Sequence, residues 1–88
     1  MRSRTELQER TNAVTLEMLQ IDADMALTLL DLADTTRSAE SRMRRRKSAR
    51  KAYLSILRLL PNLAINDQQR AAMEQRLGNL RRRLLRAA

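Results

Sequence analysis

Residues 14–34 read VTLEMLQIDADMALTLLDLAD, and the spacing of their apolar side chains decides the fold. Val14, Met18, Ile21, Met25 and Leu32, with Leu7 upstream, fall on one seam of three- and four-residue steps, the period that stacks side chains along one face of an α-helix. Leu16, Leu19, Ala23, Ala26, Leu30 and Ala33 make a second seam. At about 100° per residue the two seams together cover well over half of the helix, leaving a polar wedge of Glu17, Gln20, Asp24, Thr28 and Asp31. A helix that is apolar on two sides touches neighbours on two sides. It is expected at the centre of a bundle, or with one seam given to an oligomer contact; Leu16, Leu19 and Leu30 on the second seam are the candidates for self-association.

Working outward, the helix has two possible starts, where Ser3 with Glu6 and Thr5 with Gln8 match the capping-box spacing. Short polar side chains at Asp34, Thr35, Thr36 and Ser38 compete for backbone hydrogen bonds and predict a break. Because no Gly or Pro enforces it, one longer helix is the alternative. A second helix follows over about 38–60, with Ala49, Ala52, Tyr53, Ile56, Leu57 and Leu60 inward, and Pro61 with Asn62 ends it. Asn66 is a good N-cap with Gln69 three residues on. It opens a third helix whose seam is Met73, Leu77, Leu80, Leu84 and Ala87. The expected architecture is all-α, a small antiparallel three-helix bundle with helices at about 5–34, 38–60 and 66–87 in a single domain of 88 residues. Gly78, inside the third helix, predicts a close approach between helices.

Composition agrees with that reading. There is one Gly, one Pro, one Tyr and no Phe, Trp or Cys, so strands lack the residues they favour and neither disulfides nor thiolate chemistry is available. No apolar stretch approaches a membrane span or a signal core, and the expected location is the cytoplasm. Without a histidine the commonest general base and metal ligand is missing. The carboxylates form no catalytic pair, and no phosphate-cradling glycine loop or cofactor fingerprint occurs. The chain is therefore read as a non-enzyme, with no cofactor, no metal and no small-molecule substrate.

Charge is divided by position. Residues 1–34 carry three basic side chains against seven acidic ones, a net −4, and residues 35–88 carry fifteen against three, a net +12. Such a division either ties one part of the fold to another or presents a cationic face to a partner. Seven cations crowd into Arg42–Lys51, a density that attracts polyanions. On a helix Arg42, Arg45 and Arg46 share the direction of Tyr53, Ile56 and Leu60, so they are expected to cover the end of the core and pair with Asp24, Asp31 and Asp34. Arg44, Lys47, Lys51 and Arg58 point away. Arg76, Arg82, Arg83 and Arg86 are expected outward on the third helix. Together, Arg44, Lys47, Lys51, Arg58, Arg82, Arg83 and Arg86 form the candidate contact set for nucleic acid or another anionic surface. With no aromatic side chain among them, stacking on single-stranded bases is not expected.

Ala49, Tyr53, Ile56 and Pro61 match the spacing of the second helix of a tetratricopeptide repeat. The match covers about thirteen residues, and neither the first-helix half of that pattern nor a second copy is present. The chain resembles instead a single three-helix module of the microtubule-interacting-and-transport type, and that resemblance implies a module that holds partner helices in a groove. The function expected is a non-catalytic protein-interaction module that self-associates, with a protein partner or a homodimer. The alternative is nonspecific binding of nucleic acid or an anionic surface through the outward Arg and Lys.

Overall fold

The computed structural model describes residues 4–86, leaving out the side chain of Thr5. The two expected N-terminal capping boxes, on Ser3 and Thr5, and the inward position of Ala87 lie outside the described residues. The fold is all-α. Helix α1 spans Arg4–Thr35 and α2 Ala39–Leu59; one turn of 3-10 helix follows at Leu60–Asn62, and α3 spans Asp67–Arg86.

Each boundary has a local cause. At the end of α1 the hydroxyls of Thr35 and Thr36 turn back to the Leu32 carbonyl (3.1 and 2.6 Å), occupying an acceptor that the helix leaves free at its C-terminus. Ser38 then caps α2 in extended backbone (ψ 120°), accepting from the Ser41 amide at 3.3 Å. The break between α1 and α2 is thus made without Gly or Pro, with hydroxyl side chains capping both sides. Pro61 sits at the start of the 3-10 turn, which closes with the Leu63 amide donating to the Leu60 carbonyl (3.1 Å). Asn66 and Gln69 form a reciprocal capping box: the Gln69 amide donates to Asn66 Oδ1 at 2.7 Å and the Asn66 amide to Gln69 Oε1 at 3.1 Å.

The core is built on the second seam of α1. Leu16, Leu19, Ala23, Ala26, Leu30 and Ala33 are all buried, and the first five cluster with Ala49, Ile56 and Leu60 from the second segment and Met73, Leu77 and Leu80 from α3. Three of those six α1 residues are alanines, and small side chains let neighbouring helices approach while their Leu, Ile and Met fill the gaps. Leu57 departs from its expected inward place, being 42% exposed. At that level of α2 the single buried position is Ile56, so Leu57 falls on the flank. Gly78 also departs: a Cβ built there would meet only the tip of Arg82, at 3.8 Å. No helix presses on it.

The three helices are unequal. α1 has 32 residues against 21 in α2 and 20 in α3, about 48 Å of helix against roughly 30 Å, and the molecule is 55 Å long and 23 Å wide. No described residue before Leu16 is buried. The first turns of α1 stand out beyond the bundle.

Candidate interaction interface

The seam of α1 that the core does not use lies about 140° round the helix from the buried one. Leu7, Val14, Met18, Ile21, Met25 and Leu32 are 52, 55, 57, 53, 59 and 45% exposed. With Thr11 and Thr28 they occupy every step of an unbroken 4-3-4-3-4-3-4 series, the spacing of a coiled-coil contact. A shallow groove beside Leu29 runs over Ile21, Met25 and Thr28. This reverses the expected roles of the two seams. Leu16, Leu19 and Leu30, the residues expected to meet a second copy, are 5, 3 and 3% exposed, and they are held inside the single chain by α2 and α3. Met18 and Met25 are on the outside, as is Met43 at 72%, whereas Met73 is fully buried.

The cations fall into two groups. One is spent on the fold. Arg42 donates from Nη2 to the Thr36 carbonyl at 3.1 Å, and Arg45 donates from Nη1 to the Leu32 carbonyl at 3.4 Å and to the Thr36 hydroxyl. These two were expected on the carboxylates of α1. They go to its C-terminal backbone instead, because the last turn of α1 contains no basic residue of its own and its free carbonyls attract donors and positive charge. Arg46 alone of that trio reaches a carboxylate, lying 3.9 Å from Asp34.

The main partners of the acidic wedge come from α3. Arg83 donates from Nη1 to Asp31 Oδ1 (2.5 Å) and from Nη2 to Asp34 Oδ2 (3.1 Å), and Arg76 lies 3.8 Å from Asp24. Expected outward as a contact for a polyanion, Arg83 is instead folded onto α1 with its side chain 25% exposed. The Asp31 hydrogen bond, with Asp34 behind it, raises the Arg83 pKa above its ordinary value against the opposing effect of burial. The heptad spacing of Asp24 and Asp31 matches that of Arg76 and Arg83, so α3 runs in the same direction as α1 with its cations in step. That match was present in the sequence, and sequence reasoning missed it.

The second group stays in water. Arg44, Lys47, Lys51, Arg58, Arg82 and Arg86 are exposed; Arg44 donates to Ser41 of its own helix, and Arg82 to Asn79. Between α2 and α3, Lys47 joins Arg46, Arg50 and Arg81 around a groove of about 520 Å³ floored by Tyr53, Leu54, Leu84 and Leu85. Sequence reasoning did not single out Arg50 or Arg81 for this rim. Arg46, Arg83 and Arg86 line a smaller hollow of about 170 Å³ over Leu30, with Asp34 among them. Both hollows are lined by guanidinium groups, and the larger also has an apolar floor. Among the described residues no helix is long and apolar enough to cross a membrane, and no group of acidic side chains is placed to hold a metal ion. Comparison with family models, with curated proteins and with solved structures finds no match to this chain.

Proposed function

We propose that the chain is a non-catalytic helical interaction module that self-associates through the outer seam of α1. One observation carries the reading: six large apolar side chains, each about half exposed, share one seam of the longest helix with Thr11 and Thr28. Scattered exposed apolar residues are ordinary on a soluble surface, whereas a contiguous patch marks a contact. Here the residues share one periodicity, which chance exposure does not require. The two methionines in the line suit a surface that closes over another helix.

The test is the oligomeric state of the seam variants. Met18→Glu with Ile21→Glu is expected to convert an associated parent into a folded monomer with unchanged helical circular dichroism, since a carboxylate in an apolar contact is costly to desolvate. A parent that sediments as a monomer at its highest soluble concentration would refute the proposal. A second reading rests on Arg44, Lys47, Lys51, Arg58, Arg82 and Arg86, six of the exposed cations of the latter part of the chain, which would give nonspecific binding to a polyanion. Replacing Arg44, Lys47, Lys51 and Arg58 by Gln should then weaken duplex binding on every sequence alike. The log-log dependence of affinity on salt should lose about 0.9 in slope for each phosphate contact removed.

A further inference from the structure

We infer that the partner on the outer seam is a second copy of this chain, laid antiparallel about a two-fold axis that crosses α1 between Leu19 and Gln20. The inference rests on the self-association reading and adds orientation and register to it.

Register comes from the seam itself. When two copies run in opposite directions about that axis, Leu7 meets Leu32, Val14 meets Met25, Met18 meets Ile21 and Thr11 meets Thr28. All eight seam positions are covered, and the two polar ones fall opposite each other. Shifting either way by a heptad leaves one end of the seam in water and sets a threonine against an apolar side chain. Neither threonine carries an unmet donor into the contact, because Thr11 Oγ1 donates to the Leu7 carbonyl (2.9 Å) and Thr28 Oγ1 to the Asp24 carbonyl (3.1 Å) within the same helix. Such a contact buries on the order of 1,200 Å² between the two copies, the lower end of the range for a stable interface.

Orientation comes from charge. Residues 16–35 of α1 carry Glu17, Asp22, Asp24, Asp31 and Asp34 and no base. A parallel pair would set these five carboxylates beside the same five, with Glu17 of each copy flanking Asp22 of the other, and like charges so placed oppose pairing. An antiparallel pair sets Asp24, Asp31 and Asp34 against residues 4–15, where Arg10 falls opposite Asp31, itself already beside Arg83, twice over. Its one adverse contact is Glu17 with Asp24, and Asp24 already has Arg76 beside it.

Shape agrees with both. The part of α1 that stands beyond the bundle is about twelve residues long, a length at which an isolated helix is marginal in water. In the antiparallel pair it lies along the second half of the partner's α1, which is backed by its own α2 and α3. Those helices pack on the face of α1 about 140° round from the seam. The contact is the same patch on both copies and closes on itself as a dimer.

The chain has no cysteine, so one introduced thiol reports orientation without further change. A spin label on Glu9→Cys, an exposed site off the seam, should show a distance of about 32 Å or more in the antiparallel dimer, since the two labels are separated by some twenty-one residues of helix rise. A dimer giving a distance clearly below that rise, as labels at the same level of two parallel helices give, would overturn the orientation while leaving self-association intact. A monomer by sedimentation would overturn both. As a second measurement, Arg10→Glu should raise the dimer Kd about tenfold, because it faces Asp31 in the antiparallel pair. An unchanged Kd would contradict the register.

Discussion

Arg83 shows how a single side chain is recruited by the opposite charge it meets. Its guanidinium spans Asp31 and Asp34 from another helix, yet the carboxylates are 69 and 60% exposed, so screening keeps the contact near 0.5 kcal/mol or less. Because the Asp31 hydrogen bond, with Asp34 behind it, raises the Arg83 pKa above its already high ordinary value, the guanidinium stays charged through moderate alkali. The contribution of Arg83 is therefore present wherever the carboxylates are ionised, and moderate alkali should not remove it. Thermal melts of Arg83→Gln and parent should differ by only a few degrees, and by an unchanging amount between neutral pH and moderate alkali. Gly78 behaves oppositely to its sequence expectation. With open space at its Cβ position, Gly78→Ala should stabilise the fold by about 1 kcal/mol in chemical denaturation; a loss of stability would restore the close-approach reading. Ile56 and Leu57 are adjacent but differ in burial, 0 against 42%. Ile56→Ala is expected to cost about 2 to 5 kcal/mol and Leu57→Ala well under half as much.

At the scale of the helix, three elements and their breaks were legible because caps and breakers are local. Asn66 with Gln69, Ser38, and Pro61 act through neighbours no more than four residues away, so a linear reading finds them. The two seams of α1 were equally visible, but their assignment was not, since periodicity gives the angle of a face and says nothing of what lies against it. The bulkier seam gives the stronger hydrophobic signal. The bundle takes the Leu and Ala seam instead, because alanine admits close neighbours and because Asp31 and Asp34 flank it and meet Arg83. The two faces should therefore answer differently to the same substitution. Leu19→Glu, at a 3% exposed site, should abolish cooperative unfolding, whereas Ile21→Glu, at a 53% exposed site, should leave the melt close to that of a dissociated parent. The arginine run of α2 was legible as a charge signal and misread in its target. Hydrogen bonds from Arg42 and Arg45 to the last carbonyls of α1 depend on how the α1–α2 turn folds back, which no spacing rule records.

For the whole molecule, the division between an acidic start and a basic remainder resolves into two parts. Arg46, Arg76 and Arg83 tie the later helices to α1, and most of the exposed cations lie on α2 and α3. The fold does not use the outer face of α1, the longest element, whose first turns project beyond the bundle. The six exposed apolar residues of this face lie in one series that the described fold leaves uncovered, and the proposed second copy would cover it. Sedimentation equilibrium of the full chain and of Met18→Glu with Ile21→Glu, each checked for helicity by circular dichroism, tests this most directly. A concentration-dependent dimer is expected for the parent and a helical monomer for the variant. A parent that stays monomeric at its highest soluble concentration, or a variant that remains a dimer, would contradict self-association through this seam.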